Sequence, residues 1–421
     1  MKLLLKGGRV IDPAAGLDEP RDLLLDGEKI EAVLAPGAKA DAEVVDVSGC
    51  WVVPGLIDMH VHLREPGEEY KETVATGAAE AAAGGITAVA CMANTKPVND
   101  CAAVTDYIIE KARAAGRARV YPVGAVSKGL LGEGLAEMGE LVDHGCVALS
   151  DDGHPVMSAA LMRCALEYAK ALGVPVLSHP EDKSLSENGS MHEGEWSTRL
   201  GLRPIPAAAE EAMVARDLLL AELTGGRLHL QHLSTAGSVR LVREAKARGL
   251  QVTAETCPHY FTLTDADVRG YDPNFKMNPP LRSCADRAAV IQGLADGTID
   301  AIASDHAPHS PVEKDVEFDA AANGIVGLAT ILPLSLRLVV DGKISPARLV
   351  ELLSVNPARI LGLPGGGNLK PGEVADVTVI DPAAEWTVDK AKFLSKGRNT
   401  PFEGWKLTGR ARVVIVGGKR L

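Results

Sequence analysis

Eight short apolar segments alternate with alanine-rich stretches through the middle of this 421-residue chain. This alternation restricts the fold more than any other feature. Apolar strands separated by helices are typical of a parallel sheet that is covered on both faces. Eight such units predict a closed (β/α)8 barrel, the TIM barrel. The predicted strands are 56–62, 86–94, 119–126, 146–152, 174–179, 228–234, 251–257 and 300–308.

Both ends of the chain have a different pattern, with short β-rich segments separated by Gly, Pro and Asp. Such segments predict strands joined by turns. Because they flank the barrel on both sides, we expect them to meet in a small β-sandwich domain built from both termini. The expected division assigns residues 1–53 and 367–421 to the β-sandwich and residues 54–366 to the barrel. The terminal strand segments are 2–12, 22–35, 42–53, 375–382 and 409–421.

The composition argues against several classes of function. The net charge is −12 and the basic residues are not clustered, which is unlike a surface that binds nucleic acid or anionic membranes. No apolar run has the length of a transmembrane helix, and the first residues are too short for a signal peptide. The seven cysteines are scattered and never spaced as C-x-x-C, as expected of free thiols. The sequence therefore predicts a cytoplasmic protein that binds neither nucleic acid nor membranes.

The stretch GLIDMHVHLREPG, residues 55–67, places two histidines one residue apart at the end of the first predicted strand. Residues i and i+2 of a strand share a face, so His60 and His62 point the same way and Asp58 joins them. The pattern fits a hydrogen-bonded polar patch as well as the first part of a metal site. Asp58 fits either a hydrogen bond to a ligand imidazole or a direct part in catalysis.

Other polar residues close further strands, and in a (β/α)8 barrel all these strand ends meet at one mouth, where catalysis occurs. Four histidines and two aspartates at such positions suit Zn²⁺, with Mn²⁺ and Co²⁺ as alternatives. Six candidates exceed the needs of one tetrahedral ion with an open position, and therefore predict two ions that share a bridging carboxylate. The candidate ligands are His60, His62, Asp152, His179, His232 and Asp305.

Several longer motifs accompany these residues along the whole chain: MANTKPVND, LSDDGHPV, SHPED, QHLSTAGSV, TCPHYFTL, MNPPLR, ASDHAPH and SKGRNTPFEGWKLTGR. With them the chain resembles the dihydroorotases of the amidohydrolase superfamily, specifically the bacterial type with a bridging aspartate. The resemblance implies reversible hydrolysis of the cyclic amide of L-dihydroorotate to N-carbamoyl-L-aspartate in de novo pyrimidine (UMP) biosynthesis. It also implies a pair of Zn²⁺ ions per subunit, which would activate a water molecule and polarise the carbonyl group.

The resemblance assigns a role to each candidate ligand. One ion would lie on His60, His62 and Asp305, and the other on His179 and His232. Asp152 would bridge the two ions, at the position where many relatives carry a carboxylated lysine. Asp305 would be the catalytic residue, which carries a proton from the attacking water to the departing ring nitrogen.

The resemblance also implies a set of substrate contacts. Arg64 offers a planar fork that can bind the substrate carboxylate through two hydrogen bonds. A backbone contact near the ring is expected around Asn323 and Gly324, although several relatives have Phe or Pro in place of Asn323. The implied substrate-binding residues are Arg64, Asn94, Asn278, His309, Asn323 and Gly324.

Two alternatives remain open from the sequence. A hydantoinase or allantoinase would share the superfamily motifs, but such enzymes typically carry the bridging lysine. A non-catalytic dihydroorotase-like subunit of aspartate transcarbamoylase would lack metal ligands, whereas every ligand position is filled here. The resemblance leaves open whether the chain forms a homodimer and whether it associates with aspartate transcarbamoylase.

Overall fold

A computed structural model describes residues 2–421 and contains two hydrogen-bonded sheets of eight strands each. The first sheet begins with the N-terminal segments that were predicted as strands. β1 pairs antiparallel with β2 along most of its length and parallel with β4 and β5 on its other side. These strands are β1 (Lys2–Asp12), β2 (Leu17–Asp26), β3 (Lys29–Leu34), β4 (Glu43–Asp46) and β5 (Trp51–Pro54).

The second sheet is the barrel, in which all eight predicted strands are present. Each strand pairs in parallel with the next barrel strand along the chain, and a short separate pair, β11 and β12, lies between the fifth and sixth. The strands are β6 (Leu56–Val61), β7 (Ile86–Cys91), β8 (Arg119–Gly124), β9 (Ala148–Ser150), β10 (Val176–Ser178), β11 (Met191–His192), β12 (Pro204–Ile205), β13 (Leu228–Leu230), β14 (Val252–Thr256) and β15 (Ala301–Ile302).

The barrel closes between its first and last strands through contacts just beyond β15. Val61 forms an isolated parallel bridge with His306, and the His62 N–H donates to the His306 carbonyl at 2.9 Å. Within residues 2–421 no regular ladder joins β6 and β15. The junction therefore depends on a few contacts at the C-terminal ends of the two strands.

Helices connect the barrel strands and begin and end at residues suited to those positions. For example, Ser158 caps the helix that begins at Ala159, and Gly173 ends it in a left-handed conformation (φ 77°). The helices are α1 (Val74–Ala83), α2 (Ala102–Ala115), α3 (Met138–Asp143), α4 (Ala159–Leu172), α5 (Lys183–Ser186), α6 (Glu195–Leu200), α7 (Ala208–Thr224), α8 (Ala236–Ala247), α9 (Pro258–Thr262), α10 (Cys284–Asp296), α11 (Pro311–Lys314), α12 (Ile331–Val340), α13 (Pro346–Val350) and α14 (Asn356–Leu361). Within residues 2–421, no helix combines the length and apolar character needed to cross a membrane.

The C-terminal strands complete the first sheet, as the sequence predicts for a unit built from both termini. They are β16 (Val377–Thr387), β17 (Lys406–Val416) and β18 (Lys419–Arg420). β16 pairs antiparallel with β5, so all eight terminal strands belong to one continuous sheet. Its apolar side chains enclose a core of their own, with residues such as Leu5, Leu23 and Ile415 fully buried.

Candidate metal centre and substrate cavity

The C-terminal ends of the barrel strands surround a cavity of about 240 Å³. Drug-sized ligands usually occupy pockets of roughly 300–1,000 Å³, so this cavity suits a smaller molecule. Every site residue predicted from the sequence lines it, except His60 and Gly324. The predicted residues in the lining are His62, Arg64, Asn94, Asp152, His179, His232, Asn278, Asp305, His309 and Asn323.

Asp152 lies between two pairs of histidines and offers one carboxylate oxygen to each pair. Its Oδ2 is 3.4 Å from the Nε2 atoms of both His60 and His62. Its Oδ1 is 3.3 Å from His179 Nδ1 and 3.5 Å from His232 Nε2. Two three-residue groups that share Asp152 could therefore each hold a metal ion.

Asp305 lies on the side of the first histidine pair. Its Oδ1 is 3.0 Å from His62 Nε2 and 3.6 Å from His60 Nε2. The residue follows the short strand β15 and has a left-handed backbone (φ 46°), a conformation that non-glycine residues seldom adopt outside functional sites and turns. Asp58 supports the same segment, because its Oδ1 accepts a hydrogen bond from the Ser304 N–H at 3.0 Å.

Hydrogen bonds on the outer side of two imidazoles fix their orientation. His60 Nδ1 lies 2.7 Å from Glu255 Oε1, and His62 Nδ1 lies 2.9 Å from Asn94 Oδ1. These acceptors place the ring proton on Nδ1 and leave the Nε2 lone pair facing Asp152. Bonds of this kind orient the ligand and raise its basicity in metal sites.

The donor set fits a divalent cation. His60 Nε2, His232 Nδ1 and Asp152 Oδ1 are buried polar atoms without a hydrogen-bond partner in residues 2–421. His60 Nε2 faces Asp152 Oδ2, whereas Asp152 Oδ1 faces His179 and His232. Unpaired buried polar atoms are unfavourable in a folded protein, and one cation on each side of Asp152 would satisfy both. Imidazole nitrogens and carboxylate oxygens are the ligands that Zn²⁺ and similar ions accept.

Charged groups in the site shift one another's pKa values. Burial lowers the pKa of the His179 imidazole, but hydrogen bonds with Asp152 and Glu181 outweigh burial and raise it to about 9. Burial also raises the pKa of the Asp305 carboxyl, but the nearby His60 and His62 imidazoles hold it below its usual range. Asp305 is therefore ionised at neutral pH and able to accept a proton.

Three of the predicted substrate-binding residues, Arg64, His309 and Asn323, form another part of the cavity lining. Arg64 is buried with a left-handed backbone (φ 60°), and its Nε donates to the Pro308 carbonyl at 3.2 Å. Its Nη2 is 3.4 Å from His309 Nε2, which in turn lies 2.8 Å from the Asn323 carbonyl oxygen. Arg64, His309 and Asn323 thus form one continuous wall with a buried positive charge, suited to a carboxylate.

Gly324 lies behind this wall instead of in the cavity lining. Its N–H donates to the Lys276 carbonyl at 3.0 Å, and its carbonyl accepts from Lys314 and Asn399. A Cβ atom at this position (φ 153°) would lie 2.6 Å from the Ala307 carbonyl oxygen, so glycine is needed for close packing. Of the predicted pair, Asn323 is the residue that reaches the cavity.

Two further aspartates near the ligands, Asp151 and Asp58, accept hydrogen bonds from the backbone. Asp151 accepts hydrogen bonds from the Val126 and Ser127 N–H groups at 2.7 and 3.0 Å, and so points away from the histidines. Adjacent residues of an extended chain point in opposite directions, so Asp152 faces the histidines when Asp151 does not. Asp58 contacts backbone N–H groups beside the ligands and makes no side-chain hydrogen bond to an imidazole in the described residues.

Two acidic residues beside the histidines are not among the site residues predicted from the sequence. Glu255 in β14 contacts His60 and also lies 3.2 Å from His229 Nε2. Glu181 lies 2.9 Å from His179 Nε2 and accepts from Asn278 at 3.0 Å. The available signals were a glutamate inside an otherwise apolar strand, and an acidic residue two positions after a candidate ligand.

Comparisons with known proteins agree with this geometry. Residues 49–238 match a family model described as "Dihydro-orotase-like". Among solved structures, the L-hydantoinase (dihydropyrimidinase) from Arthrobacter aurescens is 26% identical with a TM-score of 0.88, covering 99% of this chain and 95% of that one. The dihydropyrimidinase from Brevibacillus agri NCHU1002 is 26% identical with a TM-score of 0.86, covering 100% and 95%.

Sequence relatives are more similar and cover both chains almost completely. A protein named dihydroorotase from Anaeromyxobacter sp. (strain K) is 61% identical over 420 residues, which are 99% of this chain and 97% of the relative. A protein with the same name from Geobacter metallireducens is 59% identical over 421 residues, covering 100% and 99%. On this similarity, the chain belongs to the dihydroorotase family of cyclic amidohydrolases.

Proposed function

We propose that this chain catalyses the reversible hydrolysis of L-dihydroorotate to N-carbamoyl-L-aspartate, the step of pyrimidine biosynthesis that its relatives' name denotes. The observation that carries the proposal is the position of Asp152 between two histidine pairs, in a cavity that is also lined by Arg64, His309 and Asn323. One side of the cavity fits cations and the other fits a carboxylate. A cyclic amide that bears a carboxylate can therefore contact both sides at once.

We further propose that a pair of Zn²⁺ ions occupies the site. His60, His62 and Asp305 would hold one ion, His179 and His232 the other, and Asp152 would contact both. Bound divalent ions would lower the pKa of a water molecule and polarise the scissile carbonyl group. The distances of Asp152 from all four imidazoles support this assignment.

The residues of the chain supply proton transfer and orientation. The Asp305 carboxylate would take a proton from the attacking water. The same carboxyl would then deliver that proton to the departing ring nitrogen. Arg64 and His309 would hold the substrate carboxylate, which fixes the amide carbonyl toward the metal side.

The experiment is a substrate comparison on the purified chain loaded with Zn²⁺. Dihydroorotate, dihydrouracil, hydantoin and allantoin are offered separately, and the bound metal is measured by elemental analysis. We expect turnover of dihydroorotate to exceed that of the other compounds by at least about a hundredfold, because a buried Arg64 without its carboxylate partner is unfavourable. A preference for hydantoin or dihydrouracil would assign the chain to the activity named for its structural neighbours.

We also propose that the protein works in the cytoplasm. All seven cysteines lie within the described residues and are free thiols, as is usual in a reducing compartment. Homodimer formation and association with aspartate transcarbamoylase remain predictions from the family resemblance. Light scattering of the purified chain, alone and mixed with aspartate transcarbamoylase from the same organism, would test both. A monomer mass for the chain alone would contradict the first prediction, and a mixture that shows only the masses of the two separate proteins would contradict the second.

A further inference from the structure

Asn399, in the segment between β16 and β17, makes four hydrogen bonds to loops at the barrel mouth. It is 3% exposed. Its Oδ1 accepts from the His309 N–H at 3.0 Å, and its Nδ2 donates to the carbonyls of Ala307 and Gly324, each at 2.9 Å. Its own carbonyl accepts from the Val326 N–H at 2.9 Å. One buried residue thus joins two loops, residues 307–309 and residues 324–326.

Both loops form the substrate side of the cavity. One carries His309, and the other carries Asn323, whose carbonyl lies 2.8 Å from His309 Nε2. His309 and Asn323 therefore contact each other in the cavity lining. Asn399 lies outside the lining and contacts the backbones of both loops. The His309 ring is fixed at both ends of the residue, by Asn399 at its N–H and by Asn323 at its imidazole.

We propose that Asn399 is a positioning residue for substrate binding, acting through His309. It touches neither the cavity nor the metal side. The inference deepens the proposed function and rests on it, because it assumes that His309 contacts the substrate carboxylate. It assigns to the C-terminal segment a part in building the site, although all predicted ligands and substrate contacts come from the barrel.

The amide group is specifically required for this geometry. Its nitrogen donates two hydrogen bonds to two carbonyl oxygens, while its oxygen accepts one from an N–H. In Asn399→Asp the second oxygen would face both carbonyls and repel them, although the side chain keeps its size. In Asn399→Ala, two buried carbonyls and the half-buried His309 N–H lose a partner, and of these only the Gly324 carbonyl keeps another, Lys314.

The experiment measures KM and kcat for dihydroorotate in the Zn²⁺-loaded full chain carrying Asn399→Ala or Asn399→Asp. We expect KM to rise about tenfold or more in both variants, while kcat changes less than about threefold and the metal content is unchanged. The control is Asn356→Ala. Asn356 donates to the Asp300 carbonyl just before β15, at the end of that strand that is remote from the cavity. This control should lose stability and keep its KM.

A double-mutant cycle separates positioning from general destabilisation. In a His309→Ala background, adding Asn399→Asp should raise KM by less than about threefold, because the group that Asn399 positions is already absent. A full additional tenfold rise, an unchanged KM in the single variants, or an equal KM rise in Asn356→Ala would each overturn the proposal. If the wild-type chain itself fails to turn over dihydroorotate, the proposed function fails first, which keeps the two failures distinguishable.

Discussion

The two carboxylate oxygens of Asp152 face different pairs of imidazoles, so a change at this residue should affect both candidate ion positions. In Asp152→Asn the side chain keeps its shape but loses the charge that a bridging ligand needs. We expect the metal content to fall to about half of the wild-type value or lower, because carboxylates bind such ions far better than amides. Elemental analysis after dialysis measures this.

Asp151→Asn is the matched control for that change. Asp151 is the adjacent residue and carries the same charge, but it accepts hydrogen bonds from the Val126 and Ser127 backbone. The control should lose stability and keep its metal. Full metal content in Asp152→Asn would show that the bridging ligand lies elsewhere.

Arg64 contacts its surroundings through two different nitrogens, Nε to Pro308 and Nη2 toward His309. A lysine offers a single nitrogen and cannot reproduce this fork. We expect Arg64→Lys to raise KM for dihydroorotate about ten- to a hundredfold, with unchanged metal content. Arg119→Lys is the control, because Arg119 forms its bidentate pair with Asp376, a residue outside the cavity lining. An equal KM in wild type and Arg64→Lys would exclude Arg64 from carboxylate binding.

At the scale of elements, helix α7 supports the loop that follows β13. Glu210 of α7 accepts hydrogen bonds from the Ser234 and Thr235 backbone N–H groups, each at 3.1 Å, two and three residues after His232. The Ser234 hydroxyl donates to the same carboxylate. The helix therefore fixes the direction in which the chain leaves the His232 position.

Glu210→Gln should test that support. The amide replaces one accepting oxygen with a donor that faces N–H groups, and unsatisfied buried groups cost about 1–3 kcal/mol each. We expect a lower urea midpoint and weaker metal binding at the His179–His232 position. Glu211→Gln should leave both unchanged, because the Glu211 side chain makes no hydrogen bond in the described residues. Unchanged metal affinity in Glu210→Gln would mean that the loop holds His232 without α7.

Beyond the ends of the barrel strands, the sequence pattern is a weaker guide to the direction of a side chain. Strand alternation agrees with the different directions of Asp151 and Asp152, although both residues lie just beyond the end of β9 at Ser150. It gives less guidance beyond β13 and β15, where His232 and Asp305 adopt left-handed backbones (φ 36° and 46°). At such residues the side-chain direction depends on neighbouring loops, not on the period of the strand.

At the scale of the whole molecule, metal uptake and protonation should be linked. Contacts with Asp152 and Glu181 outweigh burial and raise the pKa of His179 from 6.5 to about 9, so the metal-free protein holds a proton there at pH 7. That proton must leave before the imidazole binds a cation. The same contacts stabilise the metal-free fold below about pH 6.5, and that contribution is lost as the pH rises through about 9.

We therefore expect the Zn²⁺ affinity to increase between about pH 6.5 and 9. Competition with a chromophoric chelator at several pH values measures the affinity, and calorimetry in buffers of different ionisation enthalpy counts the released protons. An affinity that is independent of pH in this window would contradict the linkage.

The barrel and its mouth could be predicted because both follow from local pattern and one geometric rule. Apolar runs separated by helices indicate the strands, and the parallel arrangement brings His60, His179 and Asp305 together. Glu255 and Asn399 could not be predicted in the same way. Their partners lie many residues away, and a single sequence contains no periodic signal for such pairings.

The weakly paired junction between β6 and β15 has a consequence for storage and turnover of the protein. The proposed ligands of one ion lie on both sides of that junction, with His60 and His62 at the end of β6 and Asp305 after β15. An ion held there would link the first and last strands of the barrel, β6 and β15. Chelated protein should therefore become susceptible to limited proteolysis near residues 303–309 before the rest of the molecule loosens, and added Zn²⁺ should restore resistance.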